Sequence, residues 1–452
     1  MEKKKCGGFL VIIQLLHTLI NTNSQSFIGV NYGEVADNLP SPAATAKLLQ
    51  STSISKLRLY NVNTAMIQAL AHTGISIVIG TTNADIPTLA SSPSFASQWL
   101  SANILPFLPS SAISVISIGN EFLNFGDPSL YSQLLPAMKN LQAALPPNSN
   151  IKVSTVHAMA VLAQSDPPSS GAFHADLAPV LTSILGFLSQ TKSPFMINPY
   201  PYFAYRDDPR PETLAYCLFQ PNPGRVDAGS KITYMNMFDA QVDAVRSAVN
   251  AAGFPGVEIV VAETGWPYNG DTSEAGATVE NAKAFTAGLV NHLRTLVGTP
   301  LMPGKSVDTY IFELYDEDLK GGAMSERSFG LYRADQMPIF DAGLSKSSSQ
   351  MVTNATAPSP SPYQIPPKAD APVQPPQSPA VQPPQSPAVQ PPQSPAAKQQ
   401  QSPAVQPPQS PAAQQQQPPT NLSRPGSSST ATWNVELSIT HLSICIIYLL
   451  AV

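Results

Sequence analysis

The chain is poor in cysteine, charge and histidine. Three cysteines among 452 residues cannot supply a disulfide framework. Cys6 and Cys445 lie in terminal segments that read as removable, which leaves Cys217 with no intrachain partner. Stability must then come from a large core. Cys217 itself reads as a packed core thiol, because no histidine motif accompanies it as it would a nucleophile. Only 12% of residues are charged and the net charge is −5, with no basic stripe. That balance argues against a nucleic-acid partner and favours a neutral, hydroxyl-rich ligand over a phosphorylated one. No metal and no cofactor is expected.

Length alone allows two domains, but composition supports a single globular unit over residues 27–345. Residues 1–26 read as a secretory signal. Lys3, Lys4 and Lys5 precede the apolar run Phe9–Ile20, and the small residues Thr22, Ser24 and Ser26 offer cleavage after Ser24 or Ser26. After about Ser345 apolar periodicity stops. Residues 346–426 are rich in Pro, Gln and Ser, and Val373–Ala412 repeats VQPPQSPA in intact or degenerate copies. Such a segment has too little apolar surface for a core, so a disordered, polyproline-like stalk is expected. Residues 427–452 complete a different pattern: the small residues Gly426–Ser429, a polar spacer, then the apolar run Leu437–Val452, interrupted at His441. This is the order of a glycosylphosphatidylinositol signal, with attachment expected at Ser427. The protein would then be secreted and held on the outer leaflet of the plasma membrane. The N-glycosylation sequons, Asn354 and Asn421, fall outside the globular unit.

Within that unit, short β-type runs alternate with helical ones. The strand candidates are Phe27–Asn31, Lys56–Tyr60, Ile75–Gly80, Ile113–Gly119, Lys152–His157, Phe195–Asn198, Glu258–Glu263 and Asp308–Leu314. Helical patterns at Pro42–Gln50, Leu130–Ala144, Asp239–Ala252 and Thr278–Val297 lie between them. Eight β-then-α repeats predict an α/β chain closed as a (β/α)8 TIM barrel. The alternative, a doubly wound open sheet, normally has a glycine-rich first turn, which FIGVNYGE matches poorly.

In a barrel of this kind, functional groups gather at the C-terminal ends of the strands. The fourth candidate ends in Asn120-Glu121 and the seventh in Glu263-Thr264-Gly265-Trp266. The first delivers Asn31-Tyr32-Gly33, and the sixth runs into Asn198, Tyr200, Tyr202 and Phe203. The eighth runs into Glu313, Tyr315, Asp316 and Glu317, with Lys320 and Glu326 beyond. A charge at the end of a buried strand is costly unless it has a partner or a task. Two carboxylates facing each other among aromatic rings are the equipment for glycosidic hydrolysis, and a separation of about 5–5.5 Å would imply retention. Structural readings stand beside these. Glu121 could simply start a helix, Glu313 could be a salt-bridged structural acid, and Lys320 and Glu326 could pair with neighbours. Tyr202 and Phe203 are expected to line the cleft.

The runs SIGNE and IVVAETGWPYNG resemble the two catalytic signatures of the plant β-1,3-glucanases, glycoside hydrolase family 17. IGVNYG and YIFELYDEDLK…ERSFGLY resemble the same family, and the likeness runs from about Phe27 to Asp341. The resemblance implies Glu121 as acid/base, Glu263 as nucleophile, Asn120 on the sugar 2-hydroxyl and Tyr200 holding the nucleophile. Tyr32, Phe203, Trp266, Glu317, Lys320 and Glu326 would complete the β-1,3-glucan site. The implied activity is endo-hydrolysis of β-1,3-glucan with retention, by a monomer. The alternatives are a transglycosylase using the same residues and a non-catalytic, callose-binding wall protein. Several long relatives carry a cysteine-rich callose-binding module after the barrel. Here no cysteine occurs between Cys217 and Cys445, and the proline-rich stalk is expected in its place.

Overall fold

The computed structural model describes residues 28–346. The expected signal, stalk and anchor, with Asn354, Asn421, Ser427, Cys6 and Cys445, lie outside the described residues.

Eight parallel strands close into a barrel. They are β1 (Ile28–Tyr32), β2 (Lys56–Leu59), β3 (Ser76–Thr81), β4 (Ala112–Asn120), β5 (Lys152–Ala158), β6 (Phe195–Asn198), β7 (Ile259–Thr264) and β8 (Thr309–Ile311). Each pairs with its neighbours in sequence, and β1 closes on β8 through Ile28↔Thr309 and Val30↔Ile311. Each expected strand overlaps one of these. The helices between them begin where their capping residues stand. Ser41 accepts from the backbone N–H of Ala44 at helix Pro42–Ser51, Asn236 from Asp239 at Met237–Ala251, and Thr278 from Asn281 at Val279–Thr295.

The expected eighth α-helix is not found among the described residues. After β8 the chain makes only a 3-10 turn, Met324–Arg327. Residues 315–345 are dense in charge and glycine and carry no apolar stripe of helical period, so no face could dock a helix on the barrel. The segment runs instead along its own bridges, Tyr315↔Tyr332 and Tyr332↔Pro338. It then reaches the N-terminal ends of the strands, where Ser53 N donates to Leu344 O at 2.7 Å and Thr52 bridges to Ser345.

Strand alternation divides the core in two. Ile28, Val30 and Tyr32 of β1 face outward with the main cluster, which the helices cover. A second cluster of Val78, Val156, Met196, Val260, Ala262 and Tyr310 fills the barrel interior. Gly29 belongs to the inner face, where a Cβ would lie 2.6 Å from the Tyr310 ring, so only glycine leaves room for that tyrosine. Below this apolar layer Lys56 pairs with Asp308, and Ser76 Oγ donates to Ser114 Oγ at 2.8 Å. Above it the inner face turns polar again, and that polar rim is the candidate site. Cys217 is fully buried, and burial pushes its thiol up to about 12, as befits an inert core residue. Among the described residues no helix is long and apolar enough to cross a membrane.

Candidate active site

The rim is organised by an arginine. Arg58 sits on the inner face of β2 and is 1% exposed. Its Nη1 donates to Glu263 Oε1 at 2.7 Å and its Nη2 to Asn120 Oδ1 at 2.7 Å, so one rigid guanidinium joins the ends of β7 and β4. The guanidinium also lies 4.4 Å from the centre of the Tyr60 ring. The second oxygen of Glu263 accepts from the Tyr200 hydroxyl at 2.9 Å. Burial, and then the charge of Glu263, hold the Tyr200 and Tyr60 phenols protonated far above their usual range. Glu263 is thus a buried carboxylate with a donor on each oxygen, one of them cationic.

Glu121 is held differently. It takes the left-handed conformation, φ 51° and ψ 31°, which is rare outside glycine, two residues after Gly119 at φ +67°. Two contacts fix this turn: Asn83 Oδ1 accepts from Asn120 N at 2.9 Å, and Glu121 N donates to Val156 O at 2.9 Å. Glu121 Oε1 accepts from Asn198 Nδ2 at 2.7 Å, a neutral donor. Burial, and then repulsion from Glu263, push the Glu121 carboxyl up to about 7, against the opposing effects of Asn198, Arg58 and Lys320. The two carboxyl groups are therefore partnered differently, Glu263 by a cation and a hydroxyl and Glu121 by a neutral amide.

An aromatic wall and a charged cluster stand beside them. Tyr200 packs tilted against Phe203 with ring centres 5.1 Å apart, and edge-on to Phe312 and Phe329 at 6.2 and 6.0 Å. Lys320 Nζ lies 3.4 Å from Glu317 Oε2, 3.3 Å from Glu326 Oε2 and 4.6 Å from the centre of the Phe312 ring. Burial works against the Lys320 ammonium, but the acidic groups clustered around it outweigh burial and keep it charged. Glu317 Oε1 accepts from Val35 N at 2.9 Å, which ties the loop after β8 to the loop after β1. Among the described residues no cluster of His, Cys, Asp and Glu could hold a metal ion.

The structure brings Asn120, Glu121, Tyr200, Glu263 and the cluster of Glu317, Lys320 and Glu326 to one rim. It places other expected ligand contacts in the packing. Tyr32 is 3% exposed and edge-on to Tyr315 in the outer core, because it shares the outward face of β1. Trp266 is 2% exposed; its Nε1 donates to Gly276 O at 2.8 Å and its ring lies among Tyr202, Tyr205 and Phe285. Tyr202 is fully buried and supports the wall from behind, so it does not line the cleft as expected. Phe203 is half-buried, with the Arg206 guanidinium over its ring. Asn120 gives its Oδ1 to Arg58, which leaves its amide nitrogen to meet a ligand. Arg58 and Asn83 were not singled out by the sequence, and Asn198 was named at its strand end without a role. Their signal is a polar residue at an inward position or at the end of an otherwise apolar strand.

The chain matches the model of glycosyl hydrolases family 17 over residues 28–343. It is 60% identical over 348 residues to glucan endo-1,3-beta-glucosidase 7 of Arabidopsis thaliana, covering 76% of this chain and 69% of that one. It is 57% identical over 357 residues to a glucan endo-1,3-beta-D-glucosidase of Olea europaea, covering 78% and 77%. Among solved structures, the β-1,3-glucanase and allergen CJP38 of Cryptomeria japonica pollen superposes with a TM-score of 0.67 at 42% identity, over 71% of this chain and 99% of that one. A barrel closed in this order, with SIGNE and AETGWP at the ends of its fourth and seventh strands, makes this chain a member of glycoside hydrolase family 17.

Proposed function

We propose that the protein is a retaining glucan endo-1,3-beta-glucosidase that cuts internal linkages of β-1,3-glucan. The observation that carries this is the unequal treatment of two carboxyl groups on one rim. Glu263, held by Arg58 and Tyr200, is an anion placed to attack the anomeric carbon. Glu121, pushed up to about 7, still carries a proton in mildly acidic solution and can give it to the leaving oxygen. The bond from C1 to the glycosidic oxygen breaks as the bond from C1 to Glu263 forms. Glu121, now ionised, takes a proton from water, which releases the sugar from Glu263 with its original configuration. Asn120 is turned by Arg58 to offer its amide to a sugar hydroxyl, and the Tyr200–Phe203 wall offers ring faces. Digestion of laminarin, with sizing of the products and their anomeric form read by NMR, tests the reading. Internal cleavage to β-configured oligosaccharides supports it. Longer products would make the enzyme a transglycosylase, and no products at all a binding protein.

We further propose that the enzyme is secreted and works as a monomer at the cell surface, bound through a glycosylphosphatidylinositol anchor near Ser427. The signal-like 1–26, the proline-rich 346–426 and the small-residue, spacer and apolar order of 426–452 support this. Phosphatidylinositol-specific phospholipase C should release the protein from membranes. Retention, with Cys445 still present in the mature chain, would refute the anchor.

A further inference from the structure

Glu313 lies just beyond β8 and is completely buried, yet no hydrogen-bond donor reaches either of its carboxyl oxygens. Its nearest acidic neighbour is Glu317. The two carboxyl groups converge over the bare Cα of Gly33, where a Cβ would lie 2.5 Å from Glu313 Oε2 and closer still to the Glu317 carboxyl. The other charged and titratable groups facing Glu313 are Asp316 and Lys320 from its own loop and Tyr60 from the end of β2. Lys320 is already shared between Glu317 and Glu326, at 3.4 and 3.3 Å. An ionised Glu313 would add one more carboxylate to a single ammonium, with no donor of its own. A buried carboxylate without a donor is costly, whereas a carboxylic acid that donates to a neighbouring carboxylate satisfies both.

We propose that Glu313 is a neutral carboxylic acid that donates its proton to the Glu317 carboxylate, and so acts as a positioning residue. Through that bond it fixes Glu317, and with it the Glu317 contacts to Val35 N and Lys320, at the rim of the cleft. Burial, and then the charge of Glu317, also push the Glu313 carboxyl far above the usual carboxylate range, in keeping with this state.

The test compares the full chain with Glu313→Gln and Glu313→Ala. The parent-minus-Glu313→Gln infrared difference spectrum at about pH 7 should carry a protonated-carboxyl band, since the protonated fraction of Glu121 is common to both proteins and cancels. An acid whose folded pKa is raised loses its stabilising effect as pH rises above the unfolded value, while glutamine does not titrate. The melting temperature of Glu313→Gln relative to the parent should therefore climb steadily from about pH 5 to about pH 8. Glu313→Ala should raise KM for laminarin about fivefold with a smaller change in kcat, and the glutamine amide, a donor in the same place, should recover most of it. The KM comparison rests on the glucanase reading; the infrared and melting comparisons do not. Absence of the band, or a Glu313→Gln melting difference that stays constant or widens as a deficit from about pH 5 to about pH 8, overturns the proposal, because an acid ionised in the folded state is already fully charged over that range.

Discussion

The Arg58 guanidinium lies 2.7 Å from Glu263 Oε1 and 2.7 Å from Asn120 Oδ1. A lysine could keep the charge but not both bonds, since it lacks the planar fork. Arg58→Lys should therefore lower kcat on laminarin about 10²-fold through misplacement of Glu263 and Asn120. Steady-state kinetics will show this, and a kcat within twofold of the parent would mean the fork does not position the site.

Removing either carboxylate separates their tasks. Glu263→Gln should abolish turnover while circular dichroism and melting show a folded barrel. Glu121→Gln should lose about 10²–10⁴-fold on laminarin. It should lose much less on an aryl glycoside whose leaving group needs little protonation. Near-parent activity of either variant on laminarin would end the assignment.

The state of Glu121 sets the pH dependence. The proton must be present at the start of the cycle, and the carboxyl titrates at about 7. Activity should fall on the alkaline side with an apparent pKa near that value. The same shift has a thermodynamic sign. Because the folded pKa is raised above the ordinary 4.5, the stabilisation from Glu121 is complete below 4.5 and drains away as pH rises to about 7. Glu121→Gln should therefore gain melting temperature relative to the parent across that window. A constant offset would contradict the raised pKa.

The barrel interior supplies a test of packing alone. Gly29→Ala places a methyl 2.6 Å from the Tyr310 ring, inside a filled barrel. The expected cost is about 1–3 kcal/mol from overpacking. Urea unfolding should show a lower midpoint with an unchanged slope. An unchanged midpoint would mean that Tyr310 can move aside.

The chain should not need the segment beyond 346 in order to fold. Residues 27–346 keep the closing contacts of Leu344 and Ser345 with Ser53 and Thr52. Expressed alone, they should be soluble and hydrolyse laminarin. An insoluble or inactive product would show that the proline-rich segment contributes to the domain.

The strands were legible because each carries its own apolar run, and the two glutamates because a charge ending such a run is conspicuous. Arg58 was hidden by the same alternation that revealed its strand. In KLRLY nothing local says that the arginine faces the barrel axis; closure of the sheet decides it. Tyr32 shows the opposite error. Its closeness in sequence to the rim suggested a ligand contact, yet its parity with Ile28 and Val30 already assigned it to the outer face. Trp266 and Tyr202 lie past the strand ends, where alternation no longer applies and only tertiary packing decides which rings are buried. The missing eighth helix follows from composition, since 315–345 has the charge and glycine of a loop.

The closing contacts of Leu344 and Ser345 also settle an orientation. They hold the chain at the N-terminal ends of the strands, while Glu121 and Glu263 stand at the C-terminal ends. The last described residues therefore close the back of the barrel like a latch, on the face opposite the two carboxylates.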